Sequence, residues 1–271
     1  MKLENNISDN KFADVPLRIK TWMFIILAFA LGISHPIAMK IFVSWIGFQV
    51  FFEFLRMFKI QRYKVVVSVI LAIVQFLLLY LFNFENYLLY AMSFALAVVL
   101  FFLSIKVSAK QMTGISIGLV IALFIFPHLA LVRETVFGVK ALIFLVVITE
   151  VNDVFQYLMG KFFGKHKITP KISPNKTWEG FVGGVLLTML LSTILGYFLL
   201  PSHILINIIL GLILGISGFF GDVLMSFLKR KTNIKDTGNL LPGHGGLLDR
   251  MDSLIFNAPI FFWILPLLLN N

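Results

Sequence analysis

Residues 204–252 read ILINIILGLILGISGFFGDVLMSFLKRKTNIKDTGNLLPGHGGLLDRMD. From Ile204 to Leu228 the run is mostly apolar and carries one charge, Asp222. About 20 mostly apolar residues cross the hydrocarbon of a bilayer, so this run reads as a spanning helix. It stops at Lys229-Arg230-Lys231 and passes into a loop dense in Gly, Pro and charge. A polar loop pressed against a spanning helix sets the pattern for the whole chain.

The same reading along the sequence gives about nine spans. They are Thr21–Ile33, Ala38–Met57, Val65–Phe82, Tyr87–Ile105, Met112–Leu131, Val139–Met159, Glu179–Leu200, Ile204–Leu228 and Ser253–Leu268. The first is short and forms either a span or a re-entrant hairpin with the second, broken at Ser34-His35-Pro36. The expected fold class is all-α, a polytopic integral membrane protein. Composition agrees, because hydrophobic residues make up 59% of the chain and charged residues only 13%. That leaves too little polar surface to coat a water-soluble globule. The expected division is a polar segment 1–20, N-terminal transmembrane helices 21–135 and a catalytic transmembrane region 136–271. The polar start and the lack of a small-residue cleavage site after Trp22–Ile33 speak against a cleaved signal peptide.

Charge sets the expected orientation. With the N-terminus cytoplasmic, the inner segments 1–20, 56–64, 106–111, 160–178 and 229–252 hold 20 Lys and Arg. The outer side keeps three, Lys40, Arg133 and Lys140. This split predicts N-terminus in and C-terminus out. The net charge of +10 is then a positive-inside bias with attraction to anionic lipid. No aromatic-and-basic pattern points to nucleic acid. Without cysteine, disulfides, thiolate metal sites and cysteine nucleophiles are excluded. The five His are scattered and form no HExxH.

Two inner loops concentrate the chemistry. The first follows Glu150, Asn152, Asp153, Gln156 and Tyr157 and reads GKFFGKHKITPKISPNKTWEG from Gly160 to Gly180. Glu150, Asp153 and Tyr157 share one helix face. Carboxylates at such a depth face a wet cavity or each other, and mark function by default; the plain alternative is a structural pair. Ser173 or Thr177 can cap the next helix, and a helix start with hydroxyls and Lys176 is a natural anion site.

The second loop carries Asp222, Ser226, Lys229-Arg230, Lys235-Asp236, then Gly243-His244-Gly245-Gly246 and Asp249-Arg250-Met251-Asp252. Glycines let a backbone approach phosphate and point N–H groups at it. Carboxylate oxygens of Asp222, Asp249 and Asp252 suit Mg²⁺ bridging to phosphates. Lys229, Arg230, Lys235 and Arg250 can neutralise phosphate charge in a transition state. The plain alternative is a charged loop that positions two helices. Glu53-Phe54-Leu55-Arg56 reads either as a lining for a lipid path or as a helix-end ion pair.

The run from Ser226 to Asp252 resembles the phosphatidate cytidylyltransferase (CDP-diglyceride synthase) family. Ser226, Lys229-Arg230, Lys235-Asp236, Gly238, Leu241-Pro242, His244-Gly245-Gly246, Asp249-Arg250 and Asp252 fall at its spacing. Pro170–Gly180 resembles that family's KxSPxKTWEG motif, and Asp153 with Tyr157 its D-x-x-x-Y. The resemblance implies attack of a phosphatidate phosphate on the α-phosphorus of CTP, with Mg²⁺ and room for a second metal or a monovalent cation, in a homodimer of bacterial inner-membrane type. By the same resemblance, Asp222 and Asp249 are the first metal ligands, with Asp252 and Asp153 in support. Lys171, Ser173, Lys176, Thr177, Ser226, Lys235, Asp236, His244, Gly245, Gly246 and Arg250 bind substrate. Asn152 and Met225 depart from the pattern, where small and acidic residues are common. Other readings are a CTP-using enzyme for another lipid phosphate, a CTP-dependent lipid kinase, or a transporter built on the intramembrane carboxylates.

Overall fold

The computed structural model describes residues 15–240 and 245–269. The elements in chain order are α1 Val15–Ser34, α2 Pro36–Met57, α3 Lys64–Leu81, α4 Phe84–Ser104, α5 Ala109–Val120, α6 Pro127–Glu134 and α7 Gly138–Phe163. Two strands follow, β1 Lys167–Thr169 and β2 Ser173–Thr177, and then α8 Trp178–Leu199, α9 Ile204–Lys231, α10 Leu248–Met251 and α11 Leu254–Leu269. Each expected span has a helical stretch at its place. Among the described residues six stretches are long and apolar enough to cross a membrane: α2, α3, α4, α5 through α6, α8 and α9. The outward faces of α3 and α4 expose Val66, Ile73, Leu89, Met92 and Leu96, a band of apolar surface that suits lipid.

Two local features depart from plain helices. The expected span Met112–Leu131 is broken by a π-helical turn, Ile121–Ile125, between α5 and α6. Pro127 lacks an N–H and crowds the preceding turn, so the helix widens there. Carbonyls in the widened turn find side-chain donors: Gln75 Nε2 donates to Ala122 O at 3.0 Å, and the Tyr87 hydroxyl to Leu123 O at 2.7 Å. The second departure is a two-stranded antiparallel ribbon, β1 with β2, inside the loop 160–178. The sequence reading has only a loop there. Strands this short lack the alternation that would reveal them.

Between α1 and α2 the chain breaks at His35, whose Nδ1 accepts from the Ile37 N–H, and Pro36 starts the next helix. Arg133 clamps this corner by donating to the carbonyls of Ile33 and Ser34. The apolar core centres on α2, where Val43, Ile46, Val50, Phe51, Phe54 and Leu55 are fully buried.

The helices that carry the site pack through small residues. Gly180, Gly184, Thr188, Ser192 and Gly196 form a buried stripe at four-residue spacing on α8. Such a stripe lets backbones approach closely in a membrane, where apolar burial gives little drive between helices. Side-chain amides then lock the register. Asn152 on α7 is fully buried; its Nδ2 donates to Gly215 O on α9, and its Oδ1 accepts from Thr188 on α8 and from Gln156. Asn257 on α11 donates to Thr149 on α7 and accepts from Ser217 on α9. The departure at position 152 is thus the hub joining three helices. Met225, the other departure, is fully buried in the apolar core.

Candidate active site

The C-terminal end of α7, the ribbon, the N-terminus of α8, the C-terminal half of α9 and α10 meet at one end of the bundle. A polar cavity of about 180 Å³ opens there, lined by Asp153, Gln156 and Tyr157 of α7, Ser173 through Thr177 of β2 apart from Pro174, Gly180 and Phe181 of α8, and Phe219 and Asp222 of α9. Thr177 is the N-cap of α8, its hydroxyl accepting from the Gly180 N–H at 3.1 Å. Glu179 fastens the ribbon to that helix start. One of its carboxylate oxygens accepts from the N–H groups of Lys165 and His166, and the other meets the His166 ring.

Lys176 crosses the cavity. Its ammonium pairs with Asp222 Oδ2 and lies 4.4 Å from the centre of the Phe219 ring. The other Asp222 oxygen accepts from the Ser226 hydroxyl one turn on, at 3.2 Å. Asp153 Oδ2 accepts from Ser253 Oγ at 2.8 Å, which ties α7 to the start of α11. Beside them Asp252 is buried, and this desolvation pushes its carboxyl well above the usual carboxylate range. The charges of Asp222 and Asp153 push it the same way, while Lys229 and Lys176 oppose them.

A second cluster surrounds Asp249 on α10. Its Oδ1 pairs with Lys229 Nζ at 2.8 Å. Its Oδ2 accepts from the Thr237 N–H at 2.8 Å and the Gly246 N–H at 2.8 Å, and lies 3.0 Å from the Thr237 hydroxyl, whose single proton it shares with Glu53. The charges of Asp252 and Asp222 also reach Lys229, so the two clusters share one electrostatic field. Gly245 takes the left-handed conformation, φ 87°, that brings this turn over the Asp249 carboxylate.

Asp153, Ser173, Lys176, Thr177 and Asp222 therefore line one cavity, with Ser226 bonded to its wall. Lys229, Asp249, Gly245 and Gly246 form the adjoining cluster. Arg230 is exposed and joins the two loops, donating to Ile172 O and Ile234 O. Lys171, Lys235 and Asp236 are exposed and outside the residues lining the cavity. Arg250 and Glu150 line a neighbouring apolar cavity. His244, with Leu241, Pro242 and Gly243, lies outside the described residues.

Glu53 holds the second loop from α2. It is buried, and accepts from Gln49 Nε2, Thr237 Oγ1 and the N–H groups of Leu247 and Leu248. These bonds, rather than the expected helix-end pair, hold the Glu53 carboxylate, and Arg56 is exposed. A lone acid near a helix end signals unusual chemistry, and only the fold names the partners.

Among the described residues no three acidic or imidazole groups stand together as a ready cage. Asp222 and Asp249 instead each hold a lysine ammonium. An ammonium and a metal ion compete for the same oxygens, so donor type and charge fit a hard cation. Asp153, Asp222 and Asp252 lie in electrostatic reach of one another, and Asp249, in the adjoining cluster, is held by the Lys229 ammonium and the N–H groups of Thr237 and Gly246.

Comparison with known proteins gives a consistent likeness. Residues 16–268 match the model of the cytidylyltransferase family. The "Uncharacterized protein YnbB" of Escherichia coli (strain K12) is 38% identical over 278 residues, which is 96% of this chain and 90% of that protein. The "Phosphatidate cytidylyltransferase" of Bacillus subtilis (strain 168) is 41% identical over 132 residues, 48% of this chain and 49% of that protein. That of Aquifex aeolicus (strain VF5) is 47% identical over 115 residues, 42% of this chain and 43% of that protein. The likeness to these two enzymes thus spans about half of their length or less.

Proposed function

This chain belongs to the cytidylyltransferase family, and from that premise we propose that it is a phosphatidate cytidylyltransferase, joining CTP to phosphatidate to give CDP-diacylglycerol and pyrophosphate. The observation that carries the reading is the Lys176–Asp222 pair, which draws the ribbon and the α9 carboxylate into one polar cavity against apolar helices. A water-soluble nucleotide and a lipid phosphate need such a boundary to meet. The names of the Bacillus and Aquifex relatives support the same reaction.

In the proposed reaction an oxygen of the lipid phosphate attacks the α-phosphorus of CTP, and the bond to the β-phosphate breaks to release pyrophosphate. No covalent enzyme intermediate is required, so positioning and charge stabilisation supply the catalysis. Lys176 and Lys229 transfer their ammonium groups from Asp222 and Asp249 to phosphate oxygens as negative charge builds. Thr177 offers a hydroxyl at the start of α8, where the helix dipole favours an anion, and Ser173 offers another from the ribbon. Phe181 and Phe219 give the cavity an aromatic wall suited to a nucleobase or sugar face. Arg230 keeps the two loops together.

We also propose Mg²⁺ as the cofactor. Asp222 and Asp249, with Asp252 and Asp153 in support, would hold it, in exchange for the lysines. An ion held by these carboxylates would supply neutralisation of phosphate charge. The homodimer and the cytoplasmic orientation belong to the same proposal; the lysine-rich loops around the cavity support the orientation.

Purified protein supplied with CTP, phosphatidate and Mg²⁺ tests the reading. Pyrophosphate release that needs both substrates, with a CDP-diacylglycerol product, is expected. Release of CDP in place of pyrophosphate would point to a kinase and overturn it.

A further inference from the structure

A second cavity lies deeper along α7 than the polar one. It measures about 270 Å³, and its walls come from α1, α2, α6, α7 and the α10–α11 segment. Phe29, Phe42, Ile143 and Val147 are among its apolar lining, and Glu150 and Arg250 are its charged residues.

The two cavities share one stripe of α7. Ile143, Val147 and Glu150 line the apolar cavity, and Asp153, Gln156 and Tyr157 line the polar one. Ile143, Val147, Glu150, Asp153 and Tyr157 recur at three- and four-residue steps on one broad side of the helix, with Gln156 turned away from Val147. Ile143 to Tyr157 covers roughly 21 Å of helix rise. Along this path on α7 the lining changes from hydrocarbon, through Glu150 and Arg250, to the cavity that holds Lys176. Arg250 at the junction is close enough for its charge to act on both Glu150 and Asp153. A ligand matching this path has a hydrocarbon tail at one end and an anionic group at the other.

We infer that the apolar cavity takes one acyl chain of the lipid acceptor, threaded past Arg250 so that the phosphate reaches the polar cavity; this rests on the function proposed above. The chain leaves one apolar medium for another, so its burial adds little hydrophobic free energy. Its work is orientation, holding the lipid phosphate at the depth where CTP is bound.

Photolabelling of the wild-type protein tests occupancy without turnover. Phosphatidate with a diazirine near the end of one acyl chain is expected to label Phe29, Ile143 or Val147, and to do so more than a diacylglycerol bearing the same chain. Labels confined to the outward faces of α3 and α4, or equal labelling by the two probes, would overturn the inference. Kinetics supply a second arm. Val147→Trp fills the cavity and should lower kcat/KM for long-chain phosphatidate relative to dioctanoyl phosphatidate by roughly tenfold. Phe29→Ala enlarges it and should shift preference toward longer chains. An unchanged chain-length ratio in both variants counts against the acyl site. Absence of pyrophosphate release with either lipid in the wild type defeats the proposed reaction instead, and leaves the labelling pattern to judge the cavity.

Discussion

Glu53 on α2 accepts a hydrogen bond from the backbone N–H of Leu247 at 2.9 Å, across 194 positions of sequence. The same carboxylate takes the N–H of Leu248 and the Thr237 hydroxyl. A buried acid thereby fixes the glycine-rich turn that presents Asp249. Glu53→Ala leaves these donors unsatisfied, and charge-assisted bonds are worth about 1.5–3 kcal/mol each. A lower melting temperature in detergent and a loss of turnover are expected; Glu53→Gln, which keeps the shape, should lose less of both. Wild-type stability in Glu53→Ala would show that the loop is held by other contacts.

Lys176 and Asp222 test the cavity itself. Lys176→Ala should lower kcat/KM by on the order of a hundredfold, as for loss of one charge-stabilising group. Asp222→Asn should fall at least as far while the fold survives, since both side chains border an open cavity. Steady-state pyrophosphate release measures both. Turnover within twofold of wild type in either variant would place the chemistry elsewhere.

Gly246 has no room for a side chain. A Cβ there would meet Thr237 Oγ1 and the Glu53 carboxylate within contact distance. Gly246→Ala should therefore force the turn off Asp249 and cut activity by tenfold or more, roughly 1.4 kcal/mol of transition-state stabilisation. Its melting temperature separates a displaced turn from global unfolding.

Asn152 is a packing hub with no place in the cavity lining. Asn152→Ala removes partners from Thr188, Gln156 and Gly215 O. Interhelical hydrogen bonds in membranes average about 0.6 kcal/mol, so a loss of roughly 1–2 kcal/mol by the same principle is expected, read as thermal unfolding. Unaltered unfolding in that variant would remove the hub assignment.

Asp252 makes stability depend on pH. Its folded-state pKa lies above the ordinary value, so the folded protein binds the extra proton. That contribution is complete below the unfolded pKa and is lost as pH rises through the folded one. Metal-free protein should lose stability along that interval, and Asp252→Asn should flatten the slope. A melting temperature that rises with pH in the same interval would reverse the sign and the assignment.

Hydropathy alone placed a helix at each long apolar run, because a bilayer demands such runs with internally satisfied backbones, but it did not show the short α10. Spacing and residue type likewise picked out Asp153, Lys176 and Asp222, which the fold places in one cavity. The ribbon and the π-helical turn escaped that reading. The ribbon is too short to carry a period, and the turn depends on Gln75 and Tyr87, donors from other helices.

What the sequence by itself determined is which segments prefer lipid, which loops carry charge, and which residue types suit phosphate and a hard cation. These are local properties of composition and spacing. Only the tertiary structure decided that Glu53 holds the glycine-rich turn, that Asn152 joins three helices, and that Lys176 and Lys229 occupy the carboxylates expected at a metal. Each of those depends on distant groups sharing a few ångströms of low-dielectric space, and no one-dimensional pattern encodes that distance.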